Sequence, residues 1–381
     1  MHQTEATQWQ VIKSEAVLYM AMDVGESVIK VAFSPTGFSP RMMDIPGKDW
    51  KRLLEAIEEA KARYGLPATC AVLCCHEAGR SGFWIHRMLE AHGVRSLVVD
   101  SASIAVNRRR RRAKTDRLDA QSLLRLLVRH SLGEEKVWSI IRVPDPIAED
   151  RRRLHRERSR LKKEETGHRN RIRGLLAAQG LKVDSLRRGF DEWLSTVQKW
   201  DGRPLLPYLT QEIRREHQRL VLVWEQLREI EAEIRKQVKS EEGKGGDPVA
   251  RKLYRLRGVG MVSSFGLTKE IFGWREFKNG KELGGLVGLA PMPFISGDLR
   301  REQGISKSGS SALRGLLIEL AWSWLRFQPD SGLSHWFWNK VGQGGVRSRK
   351  VAVVALARKL LVALWHWVEH DRLPEGAVLM C

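Results

Sequence analysis

Residues 17–35 read VLYMAMDVGESVIKVAFSP. Two apolar runs, VLYMAMDV (17–24) and SVIKVAFSP (27–35), flank Gly25. Short β-prone runs on either side of a glycine predict a hairpin with its tight turn at Gly25. The first run carries a carboxylate, Asp23, one residue before its end.

Working outward, KDWKRLLEAIEEAKARYG (48–65) has helical periodicity, and ATCAVLCCHEAG (68–79) reads as a buried strand. SGFWIHRMLEAHG (81–93) predicts a second helix, VRSLVVD (94–100) a short strand, and TDRLDAQSLLRLLVRH (115–130) a strong helix. Strands alternating with helices around one apolar sheet define an α/β domain over 17–133, behind a polar lead-in at 1–16. Residues 134–146, with the breaker VPDP, read as a connector.

The composition then changes. Residues 151–173 hold nine Arg and two Lys against three Glu. Further on, Ile213, Leu220, Leu227 and Ile234 recur every seven residues, with Trp224 and Val238 on the alternate seam. This predicts long helices over 147–240, broken around Pro204 and Pro207. An antiparallel hairpin within one chain and a coiled coil between chains both bury such a seam. EEGKGGDP (241–248) is a linker by composition, and a mostly helical domain follows over 249–371.

The formal charge is +21, from 66 Lys and Arg against 45 Asp and Glu. A neutral small substrate needs no such excess. Clustered cations are repaid by phosphates through counterion release, so nucleic acid ranks above a membrane surface as partner. The apolar stretch 351–368 is interrupted by Arg358 and Lys359 and reads as a core helix rather than a membrane span. Cys70, Cys74, Cys75 and Cys381 lack paired metal-ligand spacing, and the first three read as buried strand thiols in a reducing compartment. No signal peptide opens the chain, and a cytoplasmic location is expected.

Four carboxylates draw notice. Asp23 and Glu77 end apolar strands, and Asp116 and Asp119 lie three apart at a helix start, on one helical face. Singly, each has a plain reading as a turn, strand-end or capping residue. Gathered at one sheet edge they would repel, and Mg²⁺ is the hard cation that oxygen ligands suit, with Mn²⁺ as substitute. Two such ions about 3.5–4 Å apart stabilise both the attacking and the leaving oxygen in phosphoryl transfer. Arg108, Arg109, Arg110, Arg111, Arg112 and Lys114 directly precede the aspartates. They suit phosphates being brought to a carboxylate-held metal.

Further cations are candidates for the phosphate backbone: Arg151, Arg152, Arg153, Lys162, Lys163, Arg169 and Arg171 in the basic helix, and Arg300, Arg301, Lys307 and Arg314 near the C-terminal domain's glycines. LYRLRGVG (253–260) followed by MVSSFGL has the shape of a helix-hairpin-helix, in which Gly258 and Gly260 let backbone N–H groups approach a phosphate. Ser306, Ser308 and Ser310 read as turn and cap residues. Ser296, before Gly297, reads on its own as a loop serine.

Asp23 in MAMDVGES, Glu77 in CCHEAGRSG and the heptad KTDRLDA resemble the amino-terminal domain of the IS110/IS1111 family of insertion-sequence transposases. GLVGLAPMPFISGDLRREQGISKSGSSALR (285–314) and KVAVVALARKL (350–360) resemble the same family's carboxy-terminal domain. The likeness spans the chain apart from its lead-in. It implies an RNase H-fold, RuvC-like domain whose metal ligands are Asp23, Glu77, Asp116 and Asp119. It also implies a nucleophilic serine at Ser296 and guidance by a structured RNA. The expected enzyme is a DNA recombinase that cuts and rejoins strands through a covalent serine–DNA ester, acting as a homo-oligomer (dimer or tetramer). Two other readings stay open: a junction-resolving endonuclease that uses the carboxylates and water, and a nucleic-acid binder without activity.

Overall fold

The computed structural model describes residues 16–79, 82–104, 116–134, 137–241, 243, 245–296, 299–307 and 309–380. Two compact units divide at Val143/Pro144.

In the first unit, strands β1 (Val17–Val24) and β2 (Val28–Ser34) pair antiparallel about Gly25. The Gly25 N–H donates to the Val28 carbonyl at 3.1 Å, and a Cβ at position 25 would stand 2.4 Å from that oxygen. Only glycine permits this closeness. The chain continues as β3 (Arg41–Pro46), α1 (Trp50–Arg63), β4 (Ala71–Glu77), α2 (Gly82–Ala91), β5 (Arg95–Val99) and α3 (Asp116–Ser131). The sheet order is β3-β2-β1-β4-β5, with β1, β4 and β5 parallel and β2 and β3 antiparallel additions. Strand β3 is not foreseen by the sequence pattern, because its half-exposed RMMDIP shows neither clean alternation nor a β-branched run.

Side chains alternate across the sheet. Leu18, Met20, Met22, Val72 and Cys74 face α1 and α2, packing on Leu53, Ile57, Ile85 and Leu89. Val17, Ala21, Leu73, Cys75 and Val99 face α3, packing on Ala120, Leu123, Leu124 and Leu127. The result is an α/β/α sandwich. The predicted connector contributes to it: Val137 and Trp138 enter the α3-side core, and Ile141 N–H donates to the Val98 carbonyl at 2.7 Å, covering the β5 edge.

Cys70, Cys74 and Cys75 are free and buried, as the sequence predicts. Burial pushes the Cys74 thiol well up, reinforced by Cys75 and Glu90, and burial together with the Glu77 charge does the same to Cys75. A thiolate is the reactive form, so both should resist a maleimide in the native protein at pH 8 and react on unfolding in urea. Mass-spectrometric labelling of either in the native state would contradict this packing.

The second unit begins with α4 (Pro146–Arg151) and α5 (Arg153–Ala177), then α6 (Phe190–Thr196) and α7 (Pro207–Lys239). Helices α5 and α7 run antiparallel. Arg158 pairs with Glu231 at 2.7 Å, Trp224 donates to Glu165 at 3.1 Å, and Arg171 pairs with Glu216 at 2.7 Å. The heptad residues Ile213, Leu220, Leu227, Ile234 and Val238 are buried along this hairpin. The seam is therefore used within the chain and offers no argument for a second subunit.

Next come α8 (Pro248–Tyr254), α9 (Met261–Leu267) running into a π-turn (Thr268–Phe272), α10 (Gly280–Leu286), β6 (Pro291–Ser296), β7 (Leu299–Ile305), α11 (Ser311–Phe327), α12 (Gly332–Val341) and α13 (Val346–His370). Helix α13 is the one described helix long and apolar enough to span a membrane. It packs Val353, Leu356, Leu360 and Leu364 into a core with Trp324, Phe337 and Leu253, as a core helix should.

Candidate functional site

Asp23 and Glu77 lie on neighbouring parallel strands, each one residue past the last paired positions, Met22 and His76. By alternation both fall on the sheet face that α3 covers. Two contacts fix the direction of that helix. Ser131, at its C-terminal end, donates to the Tyr19 hydroxyl at 3.0 Å, and the Cys75 thiol approaches the Leu123 carbonyl at 3.8 Å. Tyr19 precedes Asp23 along β1, so α3 runs against β1 and its N-terminus reaches the strand-end edge. From the Cys75–Leu123 contact, Glu77 lies about 6.6 Å further along the strand and Asp119 about 6 Å back along the helix. The two are level. Position 116 opens α3, one turn before Ala120, which is fully buried against the sheet.

Asp23 is half-buried, Glu77 exposed and Asp119 half-buried. Among the described residues no three His, Cys, Asp or Glu side chains stand grouped as metal ligands, and the side chain of Asp116 lies outside the described set. The four carboxylates nevertheless occupy backbone positions toward one sheet edge, and an oxygen-only donor set is chemistry that suits a hard divalent cation.

The register adds a residue that sequence reading missed. Lys30 is the cross-strand partner of Asp23, and Asp44 the partner of Lys30. Lys30 is held to Asp44 at 2.5 Å, which places a cation beside the carboxylate edge. The cross-strand row is visible only once β3 is known.

The arginine run and Lys114 (Arg108–Arg112 and 114) lie outside the described residues. The basic helix is less available than its composition suggests. Arg152 is buried and bound to Glu270 at 2.7 Å, so it is a structural cation and leaves the phosphate-facing set. Lys162 and Arg169 pair with Glu165, Arg171 with Glu216, and Arg153 with Asp150. Arg151 and Lys163 are exposed and make no ion pair among the described residues.

In the C-terminal part, α8, a turn and α9 occupy the stretch where the sequence pattern predicts a helix-hairpin-helix. Gly258 adopts φ +88°, and its missing Cβ would meet Phe327 of α11 at 3.0 Å. Its carbonyl accepts from Ser323 at 2.7 Å. Gly258 thus serves packing on α11, whereas the Cβ direction of Gly260, the N-cap of α9, is open. Arg314 donates to the Val287 carbonyl at 3.1 Å, while Lys307 is exposed at φ +56°.

Ser296 is the last residue of β6, paired with Leu299 across the hairpin. Its side chain, with those of Arg300 and Arg301, lies outside the described set. The sequence pattern predicts a loop here. The missed signal was the two-residue Gly297-Asp298 link between PMPFIS and LRREQGI, a hairpin-turn dipeptide.

A family model described as "Transposase IS116/IS110/IS902 family" matches residues 250–335, the stretch from α8 to α12 that carries the Ser296 hairpin. "Putative transposase y4rJ" of Sinorhizobium fredii is 42% identical over 337 residues, covering 86% of this chain and 84% of the relative. The chain belongs to the IS116/IS110/IS902 transposase family. Further likenesses to the transposase include the "Transposase for insertion sequence element IS1328" of Yersinia enterocolitica, at 29% identity over 56% of this chain and 60% of the relative. The "Transposase for insertion sequence element IS1111A" of Coxiella burnetii is 26% identical over 66% of each. The transposase's carboxylate edge lies outside the segment the family model matches, and its serine hairpin lies inside it.

Proposed function

We propose that this transposase cuts and rejoins DNA strands at the ends of an insertion sequence, using the carboxylates Asp23, Glu77, Asp116 and Asp119 together with Ser296. The observation that carries the reading is the sheet edge: two strand-end carboxylates on one face, with the N-terminus of α3 and its two aspartates brought back to the same edge. The strand order β3-β2-β1-β4-β5, antiparallel then parallel, supports an RNase H-type, RuvC-like assignment of the first unit.

Asp23, Glu77, Asp116 and Asp119 would hold divalent cations, Mg²⁺ foremost. Bound there, the cation supplies charge neutralisation at a phosphate and lowers the cost of its developing negative charge. Ser296 Oγ attacks the scissile phosphorus. A P–O bond to serine forms as the hydroxyl gives up its proton, the P–O bond to the sugar breaks, and the departing sugar oxygen takes up a proton, so that none is gained or lost overall. The phosphoserine ester conserves the bond for the reverse attack by a new strand's hydroxyl. Exposed cations, Arg151 and Lys163 among them, would grip backbone phosphates without reading sequence. A structured guide RNA would then choose the site by base pairing, as the family resemblance implies.

The test is a denaturing gel of protein incubated with element-end DNA, candidate RNA and Mg²⁺. A covalent protein–DNA band present in the wild type and absent in Ser296→Ala is expected. Cleavage without that band, intact in Ser296→Ala, would replace the serine mechanism with a water-using nuclease.

A further inference from the structure

Between Ser331 and Val368 the chain contains no Asp or Glu, yet six cations: Lys340, Arg347, Arg349, Lys350, Arg358 and Lys359. None of the six has an ion-pair partner among the described residues, unlike most of the charged α5. Lys340 is exposed near the end of α12, and Arg347, Arg349 and Lys350 are exposed within the first five residues of α13. The intervening Gly342, Gln343 and Gly345 are exposed or half-exposed. Helix α13 has no acid in its first turn, and Gly345 gives it no side-chain cap. Three cations therefore stand against the positive end of the helix macrodipole, an arrangement that isolated stability disfavours. A polyanion laid on this surface would relieve it.

The aromatic rings here indicate which polyanion. Arg349 lies over Trp338 at 5.8 Å and Lys359 over Trp336 at 4.8 Å. Trp338 is half-exposed and Trp336 half-buried, but a cation already lies over each ring and competes for the face on which an unpaired base would stack, as single-strand binders require. What the surface presents is charge on rigid helical elements, the chemistry of duplex phosphate binding. We infer that the α12–α13 corner, with Lys340, Arg347, Arg349 and Lys350, is a docking surface for the backbone of duplex DNA. This rests on the DNA-processing reading above and adds a binding face to it, remote in sequence from the basic stretches that composition singles out.

The test is the salt dependence of full-chain binding to a 30-base-pair duplex, followed by anisotropy across a potassium chloride series. Arg347→Ala/Arg349→Ala/Lys350→Ala is expected to bind roughly 10–100-fold more weakly near 0.1 M salt. Its log–log salt slope should be shallower by about 2.7, since each phosphate left without its cation removes about 0.9. Arg347→Lys/Arg349→Lys should keep the wild-type slope. The substituted residues are exposed, and an unchanged thermal midpoint verifies folding. An unchanged slope in the alanine variant overturns the proposal. A change confined to a hairpin-RNA arm also overturns it, assigning the face to RNA instead. Absence of the covalent band in wild type, with the slope difference intact, would sink the serine mechanism and leave this surface standing.

Discussion

Strand cleavage by Asp119→Asn protein is expected to fall by about 1,000-fold or more, with its fold unharmed. The substitution keeps the side chain's shape and removes one charge from a set of four carboxylates. If those carboxylates hold the cations that stabilise phosphoryl transfer, losing a ligand removes several kcal/mol of transition-state stabilisation, and each ~1.4 kcal/mol is tenfold in rate. Stability should move the other way. Without metal, carboxylates at one edge repel, so a neutral amide at 119 should leave the thermal midpoint equal or slightly higher. Mg²⁺ binds the folded state and should raise the wild-type midpoint in a concentration-dependent manner, an effect Asp119→Asn should largely lose. Glu77→Gln should behave alike, being level with Asp119 at the same edge. Full cleavage together with a wild-type Mg²⁺ shift in Asp119→Asn would remove Asp119 from the site. It would leave the convergence of β1, β4 and α3 as ordinary packing.

That edge was legible in sequence because each part has a local cause. Gly25 makes the hairpin, and the apolar runs before Asp23 and Glu77 make strands whose ends are carboxylates. The stripe Ala120, Leu123, Leu124 and Leu127 makes α3 a sheet-covering helix. The family resemblance implies what spacing alone leaves open, namely that these residues act together. Strand β3 escaped because a half-exposed edge strand carries weak patterning, and Lys30 escaped with it. The Ser296 hairpin escaped because its glycines and prolines read as loop, although the Gly-Asp link was a turn signal. The heptad seam of α7 could not say whether its partner helix was its own chain's, since both alternatives bury one stripe. Charge was the least legible property. Residues 151–173 advertise a polyanion site, yet the acids that neutralise much of it, Glu216, Glu231 and Glu270, lie 45 to 118 residues away in sequence.

The last of these acids supports a prediction about stability. Glu270, in the π-turn, accepts from Arg152 at 2.7 and 3.0 Å and from Arg156 at 2.8 Å. Its side chain is 10% exposed and that of Arg152 6%, whereas Arg156 is half-exposed. Arg152 also lies over the Trp274 ring at 4.9 Å. Glu270→Gln would strand the Arg152 guanidinium in the core without its counter-charge, and breaking one side of such a pair costs about 3–5 kcal/mol. For a unit of this size that corresponds to a fall of roughly 6–20 °C in the unfolding midpoint. Ten of the fourteen tryptophans lie beyond residue 143, so tryptophan fluorescence follows chiefly this unit. Replacing both partners, Arg152→Met with Glu270→Leu, should recover most of the loss, because an apolar pair carries no desolvation cost. Acid tests the same pairing. Burial pushes the Glu270 carboxyl up, but the hydrogen bonds and charges of Arg156 and Arg152 outweigh it and hold it below the usual carboxylate range. A depressed folded pKa adds stability that is present above the unfolded value, about 4.3, and is lost as pH falls through the folded one. Wild-type stability should therefore drop below about pH 4, and Glu270→Gln should show a shallower acid limb. Equal acid slopes in the two proteins, or a midpoint unmoved by Glu270→Gln, would mean that α5 is held to the π-turn by packing rather than by this ion pair.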